Sequence, residues 1–158
     1  MGMLPRLQAL LEERQASYSH HVHPIAYTAR ELAAAEHLAP REIAKVVVFY
    51  GERGYGMAVL PADFVVDIED LKAVLDLERL RLATEKELAE LFPDCDLGAM
   101  PPFGNLYGLP VYVEAAVARQ QTIAFNAGTH RDVVHMKYSA YEALVQPSLV
   151  HFAHWAAI

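Results

Sequence analysis

The chain has 158 residues, 54% apolar and 21% charged, with a formal net charge of −7. That length suits one domain with a full core, and the composition excludes a disordered chain. A single cysteine, Cys95, excludes an internal disulfide framework, and the acidic balance argues against strong non-specific binding to nucleic acid. Charged residues among the first fifteen make neither a leader peptide nor an anchor, and no apolar run reaches bilayer-spanning length. The expectation is a cytoplasmic protein without membrane contact.

In chain order, Leu4, Leu7, Leu10 and Leu11 recur at helical spacing and predict a helix over Leu4 to Gln15. Tyr18 to Pro24 reads as a short edge strand. Thr28 is a suitable N-cap for a helix over Ala29 to His37, with Glu31 at the capping-box position. Lys45 to Tyr50 and Tyr55 to Leu60 flank a glycine-bounded turn and predict a hairpin. Val65 to Asp67 leads into an amphipathic helix with Leu71, Val74 and Leu75 on one face. Arg79 to Ala83 reads as a strand, and Thr84 with Glu87 opens a further helix.

Gly98 to Val113 contains three glycines and three prolines, so it is no element interior. It is either a rigid turn between strands or a binding loop whose amides approach a ligand. Beyond it, Val111 to Glu114 and Thr122 to Asn126 read as strands bracketing a short polar helical link. Val133 to Tyr138 is a strand and Tyr141 to Val145 a helical turn. Strands and helices interleave without a regular βαβ rhythm, which predicts a mixed sheet with antiparallel hairpins.

Several side chains invite chemistry. Lys45 lies in the apolar run Ile43 to Tyr50, where its ammonium either snorkels to water or faces an anion. His130 and Asp132 follow the glycine turn at Gly128; either is a candidate functional group or an ordinary turn residue. His20, His21 and His23 raise a metal reading, but zinc normally takes three or four convergent ligands and Cys95 is distant in sequence. Cys95 lies between Asp94 and Asp96, which disfavour a thiolate.

The ordered triple of the Lys45 strand, Gly98-x-x-x-Pro102 and Thr122 to Asp132 resembles the YbaK/ProX family of free-standing aminoacyl-tRNA editing domains. That family is related to the insertion domain of bacterial prolyl-tRNA synthetase, and the resemblance runs from Tyr18 to Pro147. It implies an α+β fold: a mixed, partly antiparallel, curved or barrel-like sheet flanked by helices, in one domain over residues 1–158. It also implies a trans-acting deacylase that hydrolyses the ester of a mischarged tRNA. On this resemblance Lys45, Gly98 and His130 are catalytic, and Val47, Ala99, Met100, Pro101, Pro102, Phe103, Gly128 and Asp132 bind substrate. Met100, Phe103 and Val47 are expected as pocket walls, with the Gly98 and Ala99 amides facing the oxyanion.

No cofactor and no metal are implied. The implied partners are the acceptor end of a mischarged tRNA and an aminoacyl-tRNA synthetase, with monomer and homodimer both open. The alternative function is a non-catalytic tRNA- or aminoacyl-binding module on the same fold; a hydrolase of small esters is a more distant one. The apolar tail, residues 148–158, is expected as a helix over Leu149 to Ala157 that packs on its own domain or on a second subunit.

Overall fold

The computed structural model describes residues 2–156, so Ile158 of the apolar tail lies outside the described residues. A hairpin dominates the largest sheet: β2 (Ala44–Gly51) pairs antiparallel with β3 (Gly54–Pro61) along their full length. The strands are rich in β-branched and aromatic residues, and Gly54 at φ 102° closes the turn in a conformation that favours glycine. β5 (Leu80–Leu82) adds antiparallel to β2, while β6 (Val111–Glu114) and β9 (Ser148–Val150) add in parallel beyond β3. The five-stranded order is β5-β2-β3-β6-β9.

A second, antiparallel sheet has the order β1-β8-β7, from β1 (Tyr18–Val22), β8 (Asp132–Lys137) and β7 (Thr122–Asn126). It joins the first through one parallel bridge between Ile43 and Ala124. β4 (Phe64–Val66) and β10 (Ala153–Trp155) form a small antiparallel pair. The α+β architecture and mixed, partly antiparallel sheets match the expectation; among the described residues no sheet closes into a barrel.

The main core lies between these sheets and two helices. α1 (Pro5–Glu13) buries Leu7 and Leu11, and α6 (Tyr138–Val145) buries Tyr141. They meet Val48, Met57, Val59, Phe103, Phe125 and Val134 in one cluster. Each large apolar side chain buried there contributes about 1.5–3 kcal/mol. α2 (Ala29–Ala35), capped by Thr28, sets Leu32 and Ala33 against Ile43, Ala124 and Val133. α4 (Glu85–Leu91) opens with the expected capping box, Thr84 and Glu87 each bonding the other's backbone amide.

Several elements differ from the sequence reading. In α3 (Ile68–Leu75) only Leu71 and Leu75 are buried, and Val74 turns outward. The link between β6 and β7, α5 (Ala115–Ala118), is apolar rather than polar and buries Ala116 and Val117. The tail forms β9 and β10 instead of a helix. Where β9 hands over to β10, the consecutive residues Phe152 and Ala153 are buried against Phe49, Leu60 and Leu71 of the same chain.

Glu114 fastens that tail. Its buried carboxylate accepts the Phe152 and Ala153 amides at 2.8 and 2.9 Å, the Ala116 amide at 3.0 Å, and faces His151 Nδ1 at 2.9 Å. Burial pushes its acidity down. The three amides and His151 outweigh that and hold its pKa below the usual glutamate value.

Candidate active site

Two loops far apart in sequence are riveted together. The Asp96 amide donates to Gly128 O at 2.8 Å and the Gly128 amide to Ala99 O at 3.0 Å. Asp96 Oδ2 accepts the His130 amide at 3.2 Å. Both glycines lie in the left-handed region, Gly98 at φ 85° and Gly128 at φ 97°. At Gly128 a side chain would also meet Leu4 Cβ at 2.7 Å, so close packing and backbone conformation both demand glycine.

Leu97 O and the His130 ring complete the rivet. A carbonyl only accepts, so the 2.8 Å contact fixes the proton on His130 Nε2. In the neutral form of the ring the lone pair then lies on Nδ1. It is buried and has no protein partner. Tyr27 lies over the ring with centroids 5.0 Å apart.

The Gly98 to Phe103 stretch has a fixed path. The Phe103 amide closes on Pro101 O at 2.7 Å, and the buried Tyr141 hydroxyl donates to Pro102 O at 2.6 Å. The Ala99 amide, expected to be free, is occupied by Asp96 O at 3.0 Å. Among the described residues no acceptor takes the Gly98 amide. Of the two amides the sequence suggested, Gly98 alone can serve an oxyanion.

Lys45 is half-buried, and its Nζ donates to Ala62 O at 3.3 Å. Burial pushes its pKa down, and the charge of Asp63 offsets part of that. Two further N–H groups on the ammonium make no hydrogen bond among the described residues. The Ile43–Ala124 bridge, with both residues in one apolar cluster, defines which way neighbouring side chains point. Two residues along each strand, Lys45 and Asn126 leave the sheets on that same side. Asn126 Oδ1 is buried without a partner. The sequence reading passed over Asn126; a strand-terminal amide beside Ala127-Gly128 was the available signal.

Not every expected residue joins this site. Phe103 has no exposed surface and packs edge-on to Tyr141 and against Phe125, so it is a core residue rather than a wall. Met100 belongs to the same core and borders a small cavity with Leu88, Phe92 and Cys95. Val47 shares the Lys45 face of β2 but packs with Phe49 and Leu60. Asp132, 2% exposed, organises the turn: it accepts from the Thr129 hydroxyl at 2.5 Å and faces His20 Nε2 at 2.6 Å. Cys95 is half-buried against Tyr107, and burial, more than Asp94 and Asp96, pushes its thiol pKa up.

The three N-terminal histidines do not converge: His20 meets Asp132, His21 meets Glu36, and His23 Nδ1 meets Pro24 O. The groups of metal-ligating atoms that do converge include neither Lys45 nor His130.

Residues 23–144, with Lys45, Gly98 and His130 among them, match the sequence profile of the aminoacyl-tRNA editing domain. This chain belongs to that family. It is 30% identical over 156 residues to the multifunctional Ser/Thr-tRNA deacylase ProXp-y of Escherichia coli K12, covering 96% of this chain and 93% of that one. A shorter match, 33% over 81 residues, covers 51% of this editing domain and 14% of the proline–tRNA ligase of Thermosipho africanus. Among solved structures, a candidate trans-editing enzyme for prolyl-tRNA synthetase superposes with a TM-score of 0.83 at 24% identity, over 96% of both chains. At that identity the likeness speaks for the fold alone.

Proposed function

We propose that this editing domain hydrolyses, in trans, the ester of a tRNA mischarged with a small hydroxy amino acid, serine or threonine. The observation that carries the reading is the union of Gly98 and His130 in one rivet, with a free amide on one and an unpartnered buried lone pair on the other. Membership in the editing family supports ester hydrolysis, and the name of the E. coli relative supports the amino acids.

The chemistry asks little of the protein, because an aminoacyl ester is already activated. His130 Nδ1 takes a proton from water as that water adds to the ester carbonyl. The Gly98 amide donates to the oxygen that becomes an oxyanion, at no cost of reorganisation because the loop is already fixed. Collapse of the tetrahedral adduct breaks the bond to the ribose oxygen, which receives the proton from His130. The free amino acid and uncharged tRNA leave. Lys45 holds the negative backbone of the tRNA end with its two unused N–H groups. That local contact suits an acidic chain that touches only the acceptor end.

Asn126 Oδ1 accepts from the hydroxyl of the amino acid. A buried acceptor left unpaired by alanine is costly, so discrimination against a substrate lacking the hydroxyl is large, on the order of 10⁴-fold in the most favourable sites. The test is a panel of tRNAs charged with serine, threonine, alanine or proline. Rapid release of serine and threonine, with loss of preference over alanine in Asn126→Leu, is the expected result. Binding of charged tRNA without release would leave a non-catalytic module, and release of alanine or proline alone would reject the substrate assignment.

A further inference from the structure

The residues of a second site come from three elements outside the rivet. His21 on β1 and His135 on β8 are diagonal neighbours in the register that pairs Ser19 with His135 and His21 with Val133. They therefore project on one face of the sheet, the face whose Val133 packs under Leu32 and Ala33 of α2. Glu36, at the C-terminal end of α2, reaches down between them. Its Oε1 lies 2.8 Å from His21 Nδ1 and 2.7 Å from His135 Nε2. The two imidazoles lie side by side, tilted by 38°, with centroids 4.4 Å apart.

We infer that His21, Glu36 and His135 form a binding site for a divalent transition metal, with Zn²⁺ the best match, that ties α2 to the β1-β8 sheet.

The donor set is two imidazole nitrogens and one carboxylate oxygen, a combination that zinc takes at about 2.0–2.2 Å, with a fourth position left to water. All three ligand atoms already lie within 4.8 Å of one another. Tetrahedral bonds of that length separate ligands by about 3.3 Å, so the imidazoles need retreat from the carboxylate by only a few tenths of an ångström. The retreat is open to His21, whose side chain is 49% exposed. Glu36 and His135 are the fixed members, at 6% and 16%. His135 also borders a depression of about 290 Å³ with Ser19, Thr122 and Lys137, which gives an ion a way in.

On binding, Zn²⁺ takes the lone pairs of the ring nitrogens that now face Glu36, each ring's proton sits on its other nitrogen, and both imidazoles bind as neutral ligands. The consequence is mechanical. α2 follows directly on Tyr27, the residue over His130, so a metal at its far end braces that segment without touching the reacting groups.

The test uses the untagged full chain, stripped of metal and titrated with zinc chloride in a calorimeter, with melting followed in parallel. One equivalent is expected to bind and to raise the melting temperature as zinc increases. His21→Ala and Glu36→Gln are each expected to weaken binding at least tenfold and abolish the thermal shift, while the apo melting temperature of His21→Ala stays near that of the wild type. Deacylation by His21→Ala is expected to match the wild type. No saturable binding, or binding that survives His21→Ala and Glu36→Gln, overturns the assignment. So does binding lost on His154→Ala, which would move the ion to the Asp67, Asp70 and His154 group.

Discussion

His130 and Leu97 are joined side chain to backbone: the imidazole Nε2–H donates to the Leu97 carbonyl at 2.8 Å. One bond does two things. It holds the ring against the loop that carries Gly98, and in the neutral ring it selects the tautomer with the lone pair on the buried Nδ1. A loop carbonyl thus does the orienting that a carboxylate does in many hydrolases. In the proposed mechanism no third side chain is called on for that purpose.

Gly98→Ala separates backbone strain from crowding. A Cβ at Gly98 would meet only His130 Cε1, at 3.7 Å, an ordinary contact. The cost is the left-handed backbone at φ 85°, about 1–2 kcal/mol for an L-residue. Stability is expected to fall by that amount, and single-turnover deacylation separately by about tenfold or more, because relaxing the strained backbone turns the Gly98 amide away from the developing oxyanion. Denaturant melts and rapid-quench assays on one preparation check both. A full loss of stability with unchanged turnover of the folded fraction would make the glycine purely structural.

Lys45→Met is expected to hold or raise stability while weakening tRNA binding, and with it deacylation at subsaturating protein, by about 10–100-fold, the loss of a charge-assisted hydrogen bond of about 1.5–3 kcal/mol. Burial depresses the Lys45 pKa, so the folded chain sheds this proton more readily than the unfolded one. Stability lost to the buried charge is absent near neutral pH and returns as pH rises from the folded value toward about 10.4. Thermal melts between pH 7 and pH 10 should show a smaller rise for the variant than for the wild type. A variant that turns over normally removes Lys45 from the site.

Glu114→Gln tests the tail anchor. The carboxylate is 1% exposed and receives the Ala116, Phe152 and Ala153 amides, so weakening those bonds is expected to cost about 1–3 kcal/mol. Its folded pKa is depressed, so its stabilisation is present above the unfolded value of about 4.3 and lost as pH falls through the lower folded value. The wild type should therefore lose stability below about pH 4 more steeply than the variant. Equal acid slopes would show that another group governs the transition.

Local signals in the sequence were read well where the physics is local. Gly51 and Gly54 marked the β2–β3 hairpin, and Thr84 with Glu87 marked the start of α4. The tail departs from the helix its sequence suggests: Phe152 and Trp155 at i,i+3 spacing imitate a helix face, whereas β9 and β10 owe their form to distant partners in β6 and β4. β4 itself, three residues long, exists through that pairing. At the site, the glycine motifs at Gly98 and Gly128 were visible one at a time. Their mutual hydrogen bonds and the orphan acceptor on Asn126 depend on tertiary placement. Phe103 follows two prolines in a loop, a setting that suits a pocket wall as well as a core plug; only its contacts with Phe125 and Tyr141 decide.

The central claim, that His130 and Gly98 together hydrolyse the ester, is tested most directly by single-turnover deacylation of purified seryl-tRNA mischarged on a non-cognate tRNA, comparing the wild type with His130→Ala at matched melting temperature. The account predicts rapid release of serine by the wild type and a loss of about 10²–10⁴-fold in rate for His130→Ala, with tRNA binding preserved. Release by a folded His130→Ala protein at the wild-type rate would contradict it.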